Sequence, residues 1–213
     1  MRFNTKLLHG NKMGDANTGA TLTPVYQSSA FYQPSAEQHE KLFHNKATGF
    51  SYTRINNPTI FAFEERMTTL EGGLASVACA SGMAAITNAL LNIVTCGQEI
   101  VASTSLYGGS IDVFHDFEAF GIKTVFVDIS DVNAVEAAIN ENTRVIFAET
   151  IGNPKLDVVD IEALAELAHQ HNLPLVMDNT VATAYLVKPI EKGADIVVNS
   201  TSKYINGNSN AIS

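Results

Sequence analysis

From Asn56 to Ser200 the chain alternates two kinds of segment, and that alternation leaves few architectures open to it. Short continuous runs of apolar and β-branched residues read as strands: ASVACA (75–80), EIVAST (99–104), KTVFVD (123–128), RVIFAE (144–149), PLVMD (174–178) and DIVVNS (195–200). Among them lie amphipathic stretches of about three turns, GMAAITNALLNIV, SIDVFHDFEAFG, DVNAVEAAINEN and IEALAELAHQHN, which read as helices. Pro58 suits the first turn of an earlier helix and Gly72-Gly73 its stop. Strands with no polar alternation are buried on both faces, and the helices supply the cover. The spacing therefore predicts an α/β domain on a mostly parallel sheet with helices on both sides.

A length of 213 residues with 46% apolar content supports one sizeable core. The net charge of −9 excludes a general nucleic-acid or anionic-membrane surface, because phosphate backbones are held mainly by Lys and Arg. The opening MRFNTKLLHG lacks an apolar run of signal-peptide length, and no later run reaches the length of a membrane span. A cytoplasmic location is expected. Cys79 and Cys96 lie in apolar segments without metal-ligand or redox spacing and are expected to be buried thiols of a reducing compartment.

Residues 1–55 differ from the remainder, being polar and weakly periodic, as in TGATLTPVYQSSAFYQPSAEQ. Such an arm packs poorly on its own chain and is expected to contact a neighbouring subunit, leaving 56–213 as the domain proper.

In parallel sheets ligands gather at the carboxyl ends of the strands. Here those ends carry hydroxyls, carboxylates, amides and one amine: Ser81-Gly82, Ser103 to Tyr107, Glu149 to Asn153, Asp178 to Thr180 and Ser200 to Lys203. Lys203 follows a strand whose burial would desolvate an amine and activate it as a nucleophile; the plainer reading is a surface lysine on a loop. Ser200, Thr201 and Ser202 beside it offer hydroxyl donors for phosphate oxygens. Asp178 ends an apolar strand and needs a partner; it is either a turn or cap residue or the anion that keeps a heteroaromatic nitrogen protonated. Pyridoxal phosphate needs such an anion. Ser81-Gly82 opens a long apolar helix, so the N–H groups of Gly82 and Met83 form either an ordinary capped end or an anion site. Neither G-x-G-x-x-G nor G-x-x-x-x-G-K-[ST] occurs, which removes the main support for a nucleotide.

With these pieces in place, the sequence resembles the Cys/Met-metabolism family of PLP-dependent enzymes, and within it most of all the O-acetylhomoserine sulfhydrylase branch. YTRINNPT, LEGG, ASGMAAI, LYGG, ETIGNP, MDNT and STSKYINGNSN match that family's blocks in order. The resemblance implies the large domain of PLP fold type I, aspartate aminotransferase-like, with pyridoxal 5'-phosphate as cofactor. It implies that Lys203 binds the cofactor and shuttles protons, that Asp178 pairs with the ring nitrogen, and that Tyr107 stacks on the ring and aids proton transfer. By the same resemblance Gly82, Met83, Ser200 and Ser202 hold the phosphate, while Tyr52 and Arg54 reach the phosphate of the neighbouring subunit's cofactor. Asn153 falls near the ring oxygen, and Glu149 stands just outside the cofactor. The implied assembly is a dimer with shared active sites, and a homotetramer. The implied reaction is a γ-replacement that converts O-acetylhomoserine and sulfide to homocysteine and acetate. Alternatives are a cystathionine γ-synthase, a methionine γ-lyase and a non-catalytic truncated PLP-fold fragment. Two departures stand out: Gly109 replaces the cysteine characteristic of methionine γ-lyases, and the family's small carboxyl-terminal domain, with its substrate-binding arginine, is absent from this chain and is expected as a partner half.

Overall fold

The computed structural model describes residues 2–10, 14–15 and 18–213. Five strands, β1 (Glu99–Ser103), β2 (Lys123–Val127), β3 (Thr143–Glu149), β4 (Leu175–Asp178) and β5 (Ile196–Val198), pair in the order β2-β1-β3-β4-β5. Every pairing is parallel, with Ala102 opposite Phe147 and Glu149 opposite Asp178.

Period-two alternation sorts the strand residues between two cores. Val101, Ile146, Leu175 and Met177 face one way, against α6 (Val132–Ala138) and α7 (Ile161–Gln170). Ile100, Val145, Phe147 and Val176 face the other, against α4 (Gly82–Leu91) and α5 (Gly108–Asp116). There the Phe114 ring meets Phe147 edge-on, with centroids 5.1 Å apart. The helices covering the sheet are capped as their sequences suggest: the side chains of Ser81, Asp131 and Asp160 accept backbone N–H groups one turn on.

The chain divides into two compact units, Met1–Ala78 and Cys79–Ser213. The first holds α1 (Phe3–His9), α2 (Ala36–Phe43) and α3 (Pro58–Glu71). Asn57 organises it: its Oδ1 caps α3 at Thr59 N (2.8 Å), and its Nδ2 donates to Tyr26 O and Thr53 Oγ1, both at 3.0 Å. Those bonds lay the irregular segment before α3 along that helix. The parts of the expected arm at 1, 11–13 and 16–17 lie outside the described residues.

Three expectations need correction. ASVACA forms no strand: residues 75–79 have no regular structure, and Val77 is exposed. A strand needs a paired neighbour, and the described residues give this segment none. The thiols are not buried either. Cys96 is exposed, in the turn that follows α4, and Cys79 is half-buried in the unpaired segment. The expected helices 82–94 and 131–142 end early, at Leu91 and Ala138. Among the described residues no helix is long and apolar enough to cross a membrane.

Candidate active site

The connections leave the sheet in opposite senses on either side of the β1–β3 pairing, which opens a crevice at the carboxyl ends of those two strands. Tyr107 lies on the β1 side, on the loop leading into α5, and is about half exposed. Asn153 stands on the β3 side, exposed, in the loop that follows Glu149. Glu149 is 5% exposed and reaches both loops: Oε1 accepts from Tyr107 N at 2.7 Å and Oε2 from Asn153 N at 3.1 Å. Ser105 and Asp157 form a second hydrogen bond between the same loops.

Asp178 ends β4 in register with Glu149 and is 9% exposed. No ion pair reaches it among the described residues; its Oδ1 accepts from Thr180 N at 2.8 Å. Burial pushes its carboxyl above the ordinary range, and the Thr180 bonds only partly oppose this. Burial also pushes Glu149 up, to about 7; the Tyr107 N–H opposes the rise, and the neighbouring Asp178 adds to it. Asp178, buried and without a cation partner among the described residues, fits a site that receives a positively charged ring nitrogen.

Beyond β5, Ser200 N donates to Thr180 Oγ1 at 2.8 Å, which joins the β4 and β5 ends. Ser200 also packs on the start of α4. A Cβ on Gly82 would come within 2.5 Å of Ser200 Cβ and 3.0 Å of its Oγ, so only glycine allows this approach. The N–H groups of Gly82 and Met83 lie at the positive end of α4, where a helix leaves them without an intrahelical acceptor, and Gly82 itself packs on Ser200. A phosphate fits this cradle of helix N-terminus and serine.

The remaining expected residues are placed as follows. Lys203 is exposed in the turn after β5, so the expected desolvation at a strand end is not found; the turn carries it past the buried strand, and none of the described residues covers it. Its ammonium has no carboxylate partner among the described residues. The Ser202 hydroxyl accepts from Ser213 N at 2.7 Å and donates to Ser213 O at 2.9 Å, unlike that of Ser200. In the first unit, the Arg54 guanidinium lies 5.3 Å from the centre of the Tyr52 ring, and both side chains are exposed.

Thr180, named in sequence only as one of the strand-end residues, links Asp178 to Ser200. Its signal is a hydroxyl two residues after a strand-ending Asp, the spacing of an Asx turn. Gly109 has a role as well: a Cβ there would lie 2.6 Å from Tyr107 Cε1, so the ring covers the space a side chain would take.

Residues 4–213 match the sequence profile described as Cys/Met metabolism PLP-dependent enzyme. The chain is 46% identical over 209 residues to an O-acetyl-L-homoserine sulfhydrylase of Leptospira meyeri, a match covering 98% of this chain and 47% of the relative. It is 43% identical over 196 residues to an L-methionine gamma-lyase of Fusobacterium nucleatum subsp. polymorphum, covering 91% of this chain and 50% of the relative. A solved structure of a putative O-acetylhomoserine (thiol)-lyase from Campylobacter jejuni, containing N'-pyridoxyl-lysine-5'-monophosphate, superposes with a TM-score of 0.95 at 34% identity, covering 100% of this chain and 53% of that one. The chain thus spans about half the length of the curated relatives it matches.

Proposed function

Since this chain belongs to the Cys/Met-metabolism family of PLP-dependent enzymes, we propose that it holds the cofactor for a γ-replacement in which sulfide displaces acetate from O-acetylhomoserine to give homocysteine. The observation that carries the reading is the occurrence of a buried Asp178, without a cation partner among the described residues, and the Gly82–Ser200 cradle at the same carboxyl ends of the sheet strands. When bound, pyridoxal 5'-phosphate supplies an electron sink for a substrate carbanion.

The chain's own residues divide the work. Asp178 would keep the ring nitrogen protonated. The N–H groups of Gly82 and Met83 and the hydroxyls of Ser200 and Ser202 would hold the phosphate, the Ser202 hydroxyl exchanging its bonds to Ser213 for it. Lys203 Nζ would hold the cofactor, take the proton from the substrate α-carbon and return it once the new bond to sulfur has formed. Tyr107 would stack on the ring, and Asn153 would hold its oxygen side. Acetate would leave the γ-carbon with its bonding electrons as a β-carbon proton is lost, the sulfide sulfur would form the new bond to the γ-carbon, and the β-carbon would then regain a proton. Tyr52 and Arg54 act on a neighbouring subunit's phosphate in a homo-oligomer, a role that suits a guanidinium's two-point geometry.

The sulfhydrylase relative supports the substrate choice. A methionine γ-lyase is the second reading, favoured by the 43% identical relative and opposed by Gly109, where any side chain would strike the Tyr107 ring. The test is borohydride reduction of the cofactor-loaded protein and a peptide map, with a pyridoxyl adduct expected on Lys203. Assays then compare O-acetylhomoserine with sulfide, O-acetylhomoserine with cysteine, and methionine alone. Homocysteine from the first pair, lost in Lys203→Ala, is the expected result; turnover that survives Lys203→Ala would overturn the assignment.

A further inference from the structure

We propose that Glu149 is a positioning residue: a single carboxylate at the end of β3 ties the loop bearing Tyr107 to the loop bearing Asn153 across the crevice. What those two side chains do rests on the function proposed above; the tie itself does not.

The geometry is specific. Each carboxylate oxygen accepts one backbone N–H, Oε1 from Tyr107 at 2.7 Å and Oε2 from Asn153 at 3.1 Å. The donors are backbone groups 42 and 4 residues away, so the tie does not depend on which side chains the loops carry. Only a carboxylate offers an acceptor to both; a carboxamide of the same shape turns an NH₂ group toward one of the donors. A buried carboxylate without a cation is costly, and a neutral residue would be cheaper at this position unless both acceptors are used. Glu149 meets that condition. The charged groups facing it are Asp178 on β4 and Asp157 in the following loop, both anions, which raise the cost further. Because Tyr107 and Asn153 border the crevice from opposite sides, this bridge fixes the separation of their loops together with the Ser105–Asp157 bond.

The test is amide NMR on the full 213-residue chain without cofactor, comparing the parent, Glu149→Gln and Glu149→Asp. In Glu149→Gln at least one of the Tyr107 and Asn153 amides should shift and exchange about tenfold faster, while those of Ile146 and Val176 in the core strands keep their protection. Glu149→Asp, which retains two acceptors, should fall between Gln and parent. In the parent alone, the Tyr107 and Asn153 amides should titrate together with a midpoint of about 7, a measurement that needs no variant to fold. Unchanged amides in Glu149→Gln, independent titration of the two, or a loss of protection that spreads through β3 would each overturn the proposal. Cofactor loading and turnover are read separately. Should the amide result hold while no γ-replacement is found, the proposed reaction fails and the positioning role stands; the opposite pattern removes Glu149 and leaves the reaction.

Discussion

At Gly82 the chain has no room for a side chain, because Ser200 packs directly on it. Alanine there would set Cβ 2.5 Å from Ser200 Cβ and push apart the α4 N-terminus and the Ser200 hydroxyl. Gly82→Ala should therefore weaken pyridoxal phosphate binding by about tenfold or more, since displacing oriented groups by about an ångström costs on that order. An absorbance titration reads this directly, and unaltered affinity would show that the phosphate binds elsewhere. Gly109 makes the matching case for the ring. Gly109→Ala should move Tyr107 and lower the γ-replacement rate with little change in phosphate affinity, so measuring both separates the two ends of the site. The sequence exposed these positions unequally. LYGG and ASGMAAI marked the glycines, but only the packed structure shows which atoms would collide with a Cβ.

Among the elements, β3 matters most, because it lies between β1 and β4 and is buried on both faces. Phe147 is fully buried and meets Phe114 edge-on. Phe147→Ala should cost about 3–5 kcal/mol, through lost burial and the cavity left behind. Urea unfolding of the second unit measures it, and a loss below about 1 kcal/mol would mean that the core closes over the gap. Helix α4 offers a milder probe: Ser81→Ala removes the cap on Ala84 N and should cost about 1 kcal/mol. Strands and helices of this unit were legible because their signals are local, namely continuous apolar runs, a 3.6-residue period and capping residues. ASVACA misled for the complementary reason. Its composition suits a strand, yet pairing is supplied by a neighbour, and none is present among the described residues.

The two buried carboxyls give the whole molecule a pH signature. Glu149 has a folded pKa of about 7 against an ordinary 4.5, so between those values the folded chain holds a proton that the unfolded chain has released. Its stabilising contribution is present below about pH 4.5 and is lost as pH rises through about 7. Asp178, also raised by burial, acts in the same direction. Without cofactor, the urea midpoint should fall across this window, and Glu149→Gln should flatten the slope. Identical slopes in parent and variant would remove Glu149 as a source. A bound cation next to Asp178 should also reduce the fall, because it would favour the charged form.

Sequence by itself determined the parallel α/β plan, the polar residues at the strand ends and the family blocks that carry Lys203, Asp178 and Tyr107. These follow from short-range patterns, in which burial and periodicity are written into consecutive residues. Tertiary structure alone decided which of the strand-end residues work together. Glu149 contacts Tyr107 from 42 positions away, and Thr180 contacts Ser200 from 20. It also decided that Lys203 and Cys96 face solvent, because exposure depends on what folds over a residue, and no neighbour in sequence supplies that cover.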